Sequence, residues 1–121
     1  MGKFLIRCTG AGCKFDLKAG NGETIASSEV YTSFAACRKG VESVKKCAIA
    51  GKIADLTENT TLPSNPRIEL FADKAGQFRF RLRSRNGAII AVSESYHSKA
   101  MCLAGIHSVL QNAPDAQLEG T

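Results

Sequence analysis

The amino-acid sequence predicts an α+β fold: one antiparallel sheet with two helices packed on one face, made from two tandem β-β-β-α-β repeats. Three observations lead there. First, the second half of the chain falls on the first when 65 is subtracted from its numbering. Asn86-Gly87 lands on Asn21-Gly22, Ser93-Glu94 on Ser28-Glu29, Cys102 on Cys37, Gly105 on Gly40 and Ser108-Val109 on Ser43-Val44. A spacing this long, kept without a gap from the Asn-Gly pair to Ala48/Ala113, marks a duplicated supersecondary unit. Second, Phe78, Phe80 and Leu82 alternate with Arg79, Arg81 and Arg83, as Cys13, Phe15 and Leu17 alternate with Lys14, Asp16 and Lys18. Period two with one apolar face is the pattern of a half-buried antiparallel strand. Third, Cys37, Gly40, Val41, Val44 and Ala48, and likewise Cys102, Gly105, Ile106, Val109 and Ala113, recur at steps of three and four. That spacing places each set on one helix face.

The elements follow in order. The first strand covers residues 3–8 in one unit and 67–72 in the other. Matching Phe4 to Ile68 and Ile6 to Leu70 needs a one-residue deletion in the first turn, Thr9-Gly10-Ala11-Gly12 against Asp73-Lys74-Ala75-Gly76-Gln77. Hairpin tips tolerate such changes. The second strand covers residues 13–19 and 78–84, and the Asn-Gly pairs then turn the chain into a third strand. A two-residue turn would put Ile25 and Ile90 on the charged face. A three-residue loop with glycine in the left-handed region puts them opposite Leu17 and Leu82, and burial selects that register. Ser33 and Ser98 are the predicted N-caps of helices over 33–47 and 98–112. Glycine inside a helix costs ~1 kcal/mol relative to alanine. Its recurrence at Gly40 and Gly105 therefore predicts a close approach of helix to sheet. Asn112-Ala113-Pro114 ends the second helix. Residues 52–56 and 116–119 are predicted closing strands, and the polar, proline-bearing stretch 57–66 is a linker.

At 121 residues the chain fits one domain, with repeats at about 3–56 and 67–119. A chain of this size buries roughly two-thirds of its unfolded surface, whereas one unit alone is too small for a good core. The halves are therefore expected to share a core. No apolar run approaches membrane-spanning length. The N-terminal run is too short and too quickly polar for a signal peptide, and Ile6 stands where a myristoylation motif needs Ser or Thr. Five cysteines without an export signal favour a reducing, cytoplasmic setting. Net charge is +5, with eight Lys/Arg against four Asp/Glu in residues 1–49 and seven against five in residues 67–121. A surplus spread over both halves permits an anionic partner without demanding one.

Phe78-Arg79-Phe80-Arg81-Leu82, Asn86-Gly87, Ser93-Glu94-Ser95-Tyr96, Ser98-Lys99-Ala100 and Asn112-Ala113-Pro114-Asp115-Ala116 together resemble the YegP-like family of small proteins. The match covers nearly the whole chain and is most specific in the second unit. In the first, Cys13-Lys14-Phe15-Asp16-Leu17 replaces the aromatic-basic alternation and Cys47-Ala48-Ile49 replaces Asn-Ala-Pro. The resemblance implies a pseudo-twofold single sheet with the closing strands exchanged between units. It implies no catalytic residue, and no cofactor is expected.

Three places remain as candidate sites, and no catalytic motif or metal-ligand spacing stands beside them. Arg79, Arg81 and Arg83, extended by Arg85 and by Lys14 and Lys18, form a basic stripe on the face opposite the core. It reads either as a surface for nucleic acid or another polyanion, or as outward residues on a solvated sheet. Phe78 and Phe80 point inward, so this face lacks the aromatics of a single-strand binder. On helix two, Leu103, His107 and Leu110 replace Arg38, Glu42 and Lys45 of helix one. They mark either a surface for a protein partner or second copy, or a face covered by the linker through Leu62. Cys8 and Cys13 flank the first turn. They are either a reversible disulfide, if their Cα atoms come within about 7 Å, or two reduced thiols. The Ser-Glu-x-Tyr-x-Ser segments at 28–33 and 93–98 read as strand-to-helix junctions, with the last serine capping and the tyrosine packed on the entry.

Overall fold

The computed structural model describes residues 2–120; residues 1 and 121 lie outside the described residues. Its elements are β1 (Lys3–Thr9), β2 (Gly12–Lys18), β3 (Thr24–Ser27), α1 (Phe34–Ala50), β4 (Ile53–Asp55), β5 (Arg67–Ala72), β6 (Phe78–Arg83), β7 (Ile89–Val92), α2 (Lys99–Asn112) and β8 (Gln117–Gly120). All eight strands form one sheet in the order β4-β5-β6-β7-β3-β2-β1-β8. The expected all-antiparallel sheet is corrected here: it is mixed. β4 pairs parallel with β5, and β8 pairs parallel with β1. β4 and β5 are consecutive parallel neighbours, and residues 56–66 between them supply the long connection that parallel strands need.

Both hairpin loops span three residues. Ala19 N–H donates to Glu23 O at 2.9 Å and Ser84 N–H to Ala88 O at 2.8 Å. Gly22 and Gly87 both sit at φ 87°, where a side chain would be strained. The partner of Leu17, however, is Ala26 rather than Ile25, and that of Leu82 is Ala91 rather than Ile90. A one-residue bulge follows each loop. It turns Ile25 and Ala26 inward together, leaving them 6% and 2% exposed. The first serine of each junction segment ends the ladder at the other end of the strand. Ser28 Oγ accepts from Phe15 N–H, and Ser93 Oγ from Phe80 N–H, each at 2.9 Å.

Only Ser27 and Val92 pair where β3 meets β7. The two halves are joined further by β4 against β5 and by β8 against β1, and by packing. Phe4, Phe15, Leu17, Ile68, Phe80 and Leu82 from the sheet and Val41, Val44, Ile106 and Val109 from the helices belong to one buried cluster. α1 reaches across to β5, β6 and β7, while α2 reaches back to β3. Ser33 Oγ caps α1 by accepting from Ala36 N–H, and Ser98 Oγ caps α2 by accepting from Met101 N–H, both at 3.1 Å. Each cap contributes about 1 kcal/mol.

The helix glycines have a specific cause. A Cβ on Gly40 would overlap the Tyr31 hydroxyl and stand 2.8 Å from its ring carbon Cζ; on Gly105 it would meet the Tyr96 hydroxyl in the same way. Tyr31 stacks on Phe15 and Tyr96 on Phe80, each with ring centroids 6.3 Å apart. The tyrosine of the junction segment thus fills the space that the helix glycine leaves.

Candidate functional site

Helices cover one face of the sheet, and the basic residues lie on the other. Ile68 and Leu70 point inward from β5, so Arg67, Glu69 and Phe71 point outward. The register sets Glu69 directly opposite Arg81, and Arg67 opposite Arg83. Glu69 is the centre of the site, and the stripe reading overlooked it. Arg81 Nε donates to Glu69 Oε1 at 2.6 Å and Arg83 Nε to the same oxygen at 2.7 Å. Arg67 donates to Oε2 through Nε at 2.8 Å and Nη2 at 2.6 Å. Under these three guanidiniums the carboxylate is only 1% exposed. Burial alone would raise its pKa, but the hydrogen bonds from Arg81, Arg83 and Arg67 win and hold it down at about 2.

The anchors fix each fork. Arg83 also donates Nη1 to Gly87 O, and Arg67 donates Nη1 to Pro63 O, both at 2.8 Å. Arg79 reaches Ser93 O through Nε and Nη2. Arg81 lies over the Phe71 ring, its Cζ 4.4 Å from the centroid. Its two Nη groups have no hydrogen-bond partner among the described residues. Four guanidiniums against one carboxylate leave three positive charges on this half of the face. Phe71 also corrects the expectation that the face lacks an aromatic.

Lys14 and Lys18 share this face, because they alternate with Phe15 and Leu17 of the same core. They lie three strands from β6, roughly 14 Å at the usual strand spacing. Between them Asp16 accepts from Ser27 Oγ at 2.5 Å, and Lys18 Nζ donates to Thr24 Oγ1 at 3.0 Å. Arg85 departs from the stripe: it stands past the end of β6, in the exposed turn toward β7.

The outer face of α2 differs from the expected exposed leucines. Leu103 and Leu110 are half-buried and pack against the core, while His107 is exposed. Leu62 does not hide, being 38% exposed. Instead Lys99 ties the start of α2 to Asp55 at 2.5 Å and to Glu58 at 2.8 Å.

Cys8 and Cys13 are joined in a disulfide with Cα atoms 4.1 Å apart. The two reduced thiols expected of a reducing compartment give way to a cross-strand link. The register places them directly opposite, and Cys13 spends its backbone N–H and C=O on Tyr31. Cys8 and Cys13 are therefore a non-hydrogen-bonded pair, the closer kind in an antiparallel ladder. Cys37, Cys47 and Cys102 are free and buried. Burial raises all three thiol pKa values, those of Cys47 and Cys102 to about 11, which suits packing and not nucleophilic work. Among the described residues, no group of three or more His, Cys, Asp and Glu is placed to hold a metal.

Residues 12–55 and 73–119, most of the chain, match the family described as a domain of unknown function, DUF1508. The chain belongs to that family. Among DUF1508 relatives, a UPF0339 protein from Stutzerimonas stutzeri, described as lying in the ptx operon 5′ region, is 39% identical over 105 residues, covering 87% of this chain and 82% of that one. A UPF0339 protein from Treponema denticola is 58% identical over 50 residues, which is 41% of this chain and 86% of that protein. The fold matches the solution structure of YegP from E. coli, a protein of unknown function, at TM-score 0.81 and 30% identity over 99% of this chain and 92% of that one. No helix among the described residues of this DUF1508 protein is long and apolar enough to cross a membrane.

Proposed function

We propose that the open sheet face is a non-catalytic binding surface for the phosphates of single-stranded nucleic acid. One observation carries the reading: Glu69 locks Arg81 and Arg83 by their Nε atoms, leaving Arg81's outer N–H groups unspent above Phe71. A guanidinium held this way is pre-organised for a phosphate, and its plane offers a base a stacking surface. Lys14 and Lys18 extend the track across the sheet. Binding to a short oligothymidylate at low salt is expected, weakening with a log–log salt slope of about −2 for three phosphate contacts. Arg79→Ala with Lys14→Ala and Lys18→Ala leaves the Glu69 cluster intact and is expected to weaken binding at least about tenfold. Absence of binding at the lowest salt would sink the proposal.

The disulfide supports a second reading, a reversible staple. Cys8 is exposed while Cys13 is buried. A dithiol's thiolate attacks Cys8 Sγ, the S–S bond breaks and Cys13 leaves as a thiolate that takes a proton. The dithiol's second sulfur then displaces Cys8, so the reductant leaves oxidised and two thiols remain. Folded protein treated with dithiothreitol is expected to gain two titratable thiols and to lose about 2 kcal/mol of stability, the loop-closure value for so short a loop. Thiols released only after denaturation would rule the staple out as a switch.

The architecture itself reads as one domain of two pseudo-twofold units that exchange closing strands. The two family matches and the Treponema relative, matched over most of its length by 50 residues, support this reading.

A further inference from the structure

A second basic site lies away from the open face. Where α1 passes the β6–β7 turn, Ser43, Lys46, Pro66, Ser84, Arg85 and Asn86 line a cavity of about 550 Å³. Ser43 and Lys46 are one turn apart on α1 and face the same way. The opposite wall is held by the turn: Gly87 N–H donates to Ser84 O at 2.9 Å, Ser84 Oγ donates to Asn86 Oδ1, and Arg83 Nη1 holds Gly87 O from the sheet side. Neither Lys46 nor Arg85 has an ion-pair partner among the described residues, and no carboxylate lines the cavity. Beside Pro66, Asn65 Oδ1 is buried with no hydrogen-bond partner among the described residues, an acceptor for which a donor is expected.

The sequence repeat supplies a control. The positions equivalent to Lys46 and Arg85 are Gln111 and Gly20, whereas Ser43 and Asn86 recur as Ser108 and Asn21. The turn and helix serine recur, so the fold requires neither cation; the two charges come from different halves of the chain and meet only at this cavity. We infer that the cavity binds a small phosphomonoester, its phosphate between Lys46 and Arg85 and its organic part against Pro66. Cavities of a few hundred Å³ with a few convergent polar groups suit ligands of that size, and a dianionic phosphate suits two unspent cations.

The test uses the full chain, isotope-labelled, with adenosine 5′-monophosphate, adenosine and inorganic phosphate as separate probes in amide NMR titrations. The monophosphate and inorganic phosphate are expected to shift the amides of Ser43, Lys46 and residues 84–86, and adenosine is not. Lys46→Ala and Arg85→Ala, both at exposed positions, are each expected to weaken the monophosphate at least fivefold. Arg79→Ala is expected to leave it unchanged, so failure of the open-face proposal is read separately. No shifts at millimolar monophosphate, equal shifts with adenosine, or affinity indifferent to both cavity variants would overturn the inference.

Discussion

Replacing Glu69 with alanine is expected to cost about 3–5 kcal/mol of stability, the range for removing one partner of a buried ionic network. For a domain of this size that lowers the melting temperature by about 10–20 °C. The loss comes less from the bonds removed than from what stays behind. Arg67, Arg81 and Arg83 converge on one carboxylate, and without it three like charges face each other at short range. Chemical denaturation of Glu69→Ala and of a conservative Glu69→Gln variant checks this. A change under about 1 kcal/mol in the alanine variant would place the arginines' stability elsewhere.

The same cluster sets a pH dependence. The carboxyl sits at about 2 in the folded chain against an ordinary 4.5, so the unfolded chain binds the extra proton between those values. Its contribution is complete above about pH 4.5 and is lost as pH falls through 2. The gap corresponds to on the order of 3 kcal/mol. Stability of Glu69→Gln is expected to lack that component of the acid limb. Parallel acid limbs in both proteins would refute it.

The second large effect concerns the helix glycines. Gly40→Ala and Gly105→Ala each push a methyl group into a stacked tyrosine. Overpacking of this kind costs about 1–3 kcal/mol, against which alanine regains ~1 kcal/mol of helix propensity. That leaves about 0–2 kcal/mol per site; the two sites are on different helices, so the double variant is expected to lose roughly the sum, up to about 4 kcal/mol. Tyr96→Phe removes the atom nearest the new methyl, so Gly105→Ala is expected to cost less in that background. A stabilised Gly105→Ala would show that the tyrosine moves aside freely.

Much of the fold was legible because its signals are local. The Phe78–Leu82 alternation, the Asn-Gly loops and the Ser33 and Ser98 caps need only neighbouring residues to act, and each lies within a residue or two of its expected place. The bulge at Ile25 and Ile90 was not legible, because the loop length alone does not say whether Ile25 or Ala26 comes opposite Leu17; that is set where β3 pairs with β2, and β7 with β6. The candidate site was half legible. Its arginines were visible as an alternation, but Glu69 reads as one more outward residue until the β5–β6 register sets it opposite Arg81. Inward Ile68 and Leu70 were the available clue. Leu103 and Leu110 read as outward at helical spacing, yet α2 lies so that both touch the core.

By itself, then, the chain determined its strands, loops, caps and helix faces, since backbone preference and hydrophobic period act over a few residues. Tertiary structure alone decided three further things: the parallel pairing of β4 and β8, the burial of one carboxylate beneath three guanidiniums, and the meeting of Lys46 with Arg85. Each joins residues far apart in sequence. Their interaction depends on register and on how the helices cross the sheet, and no local propensity encodes either.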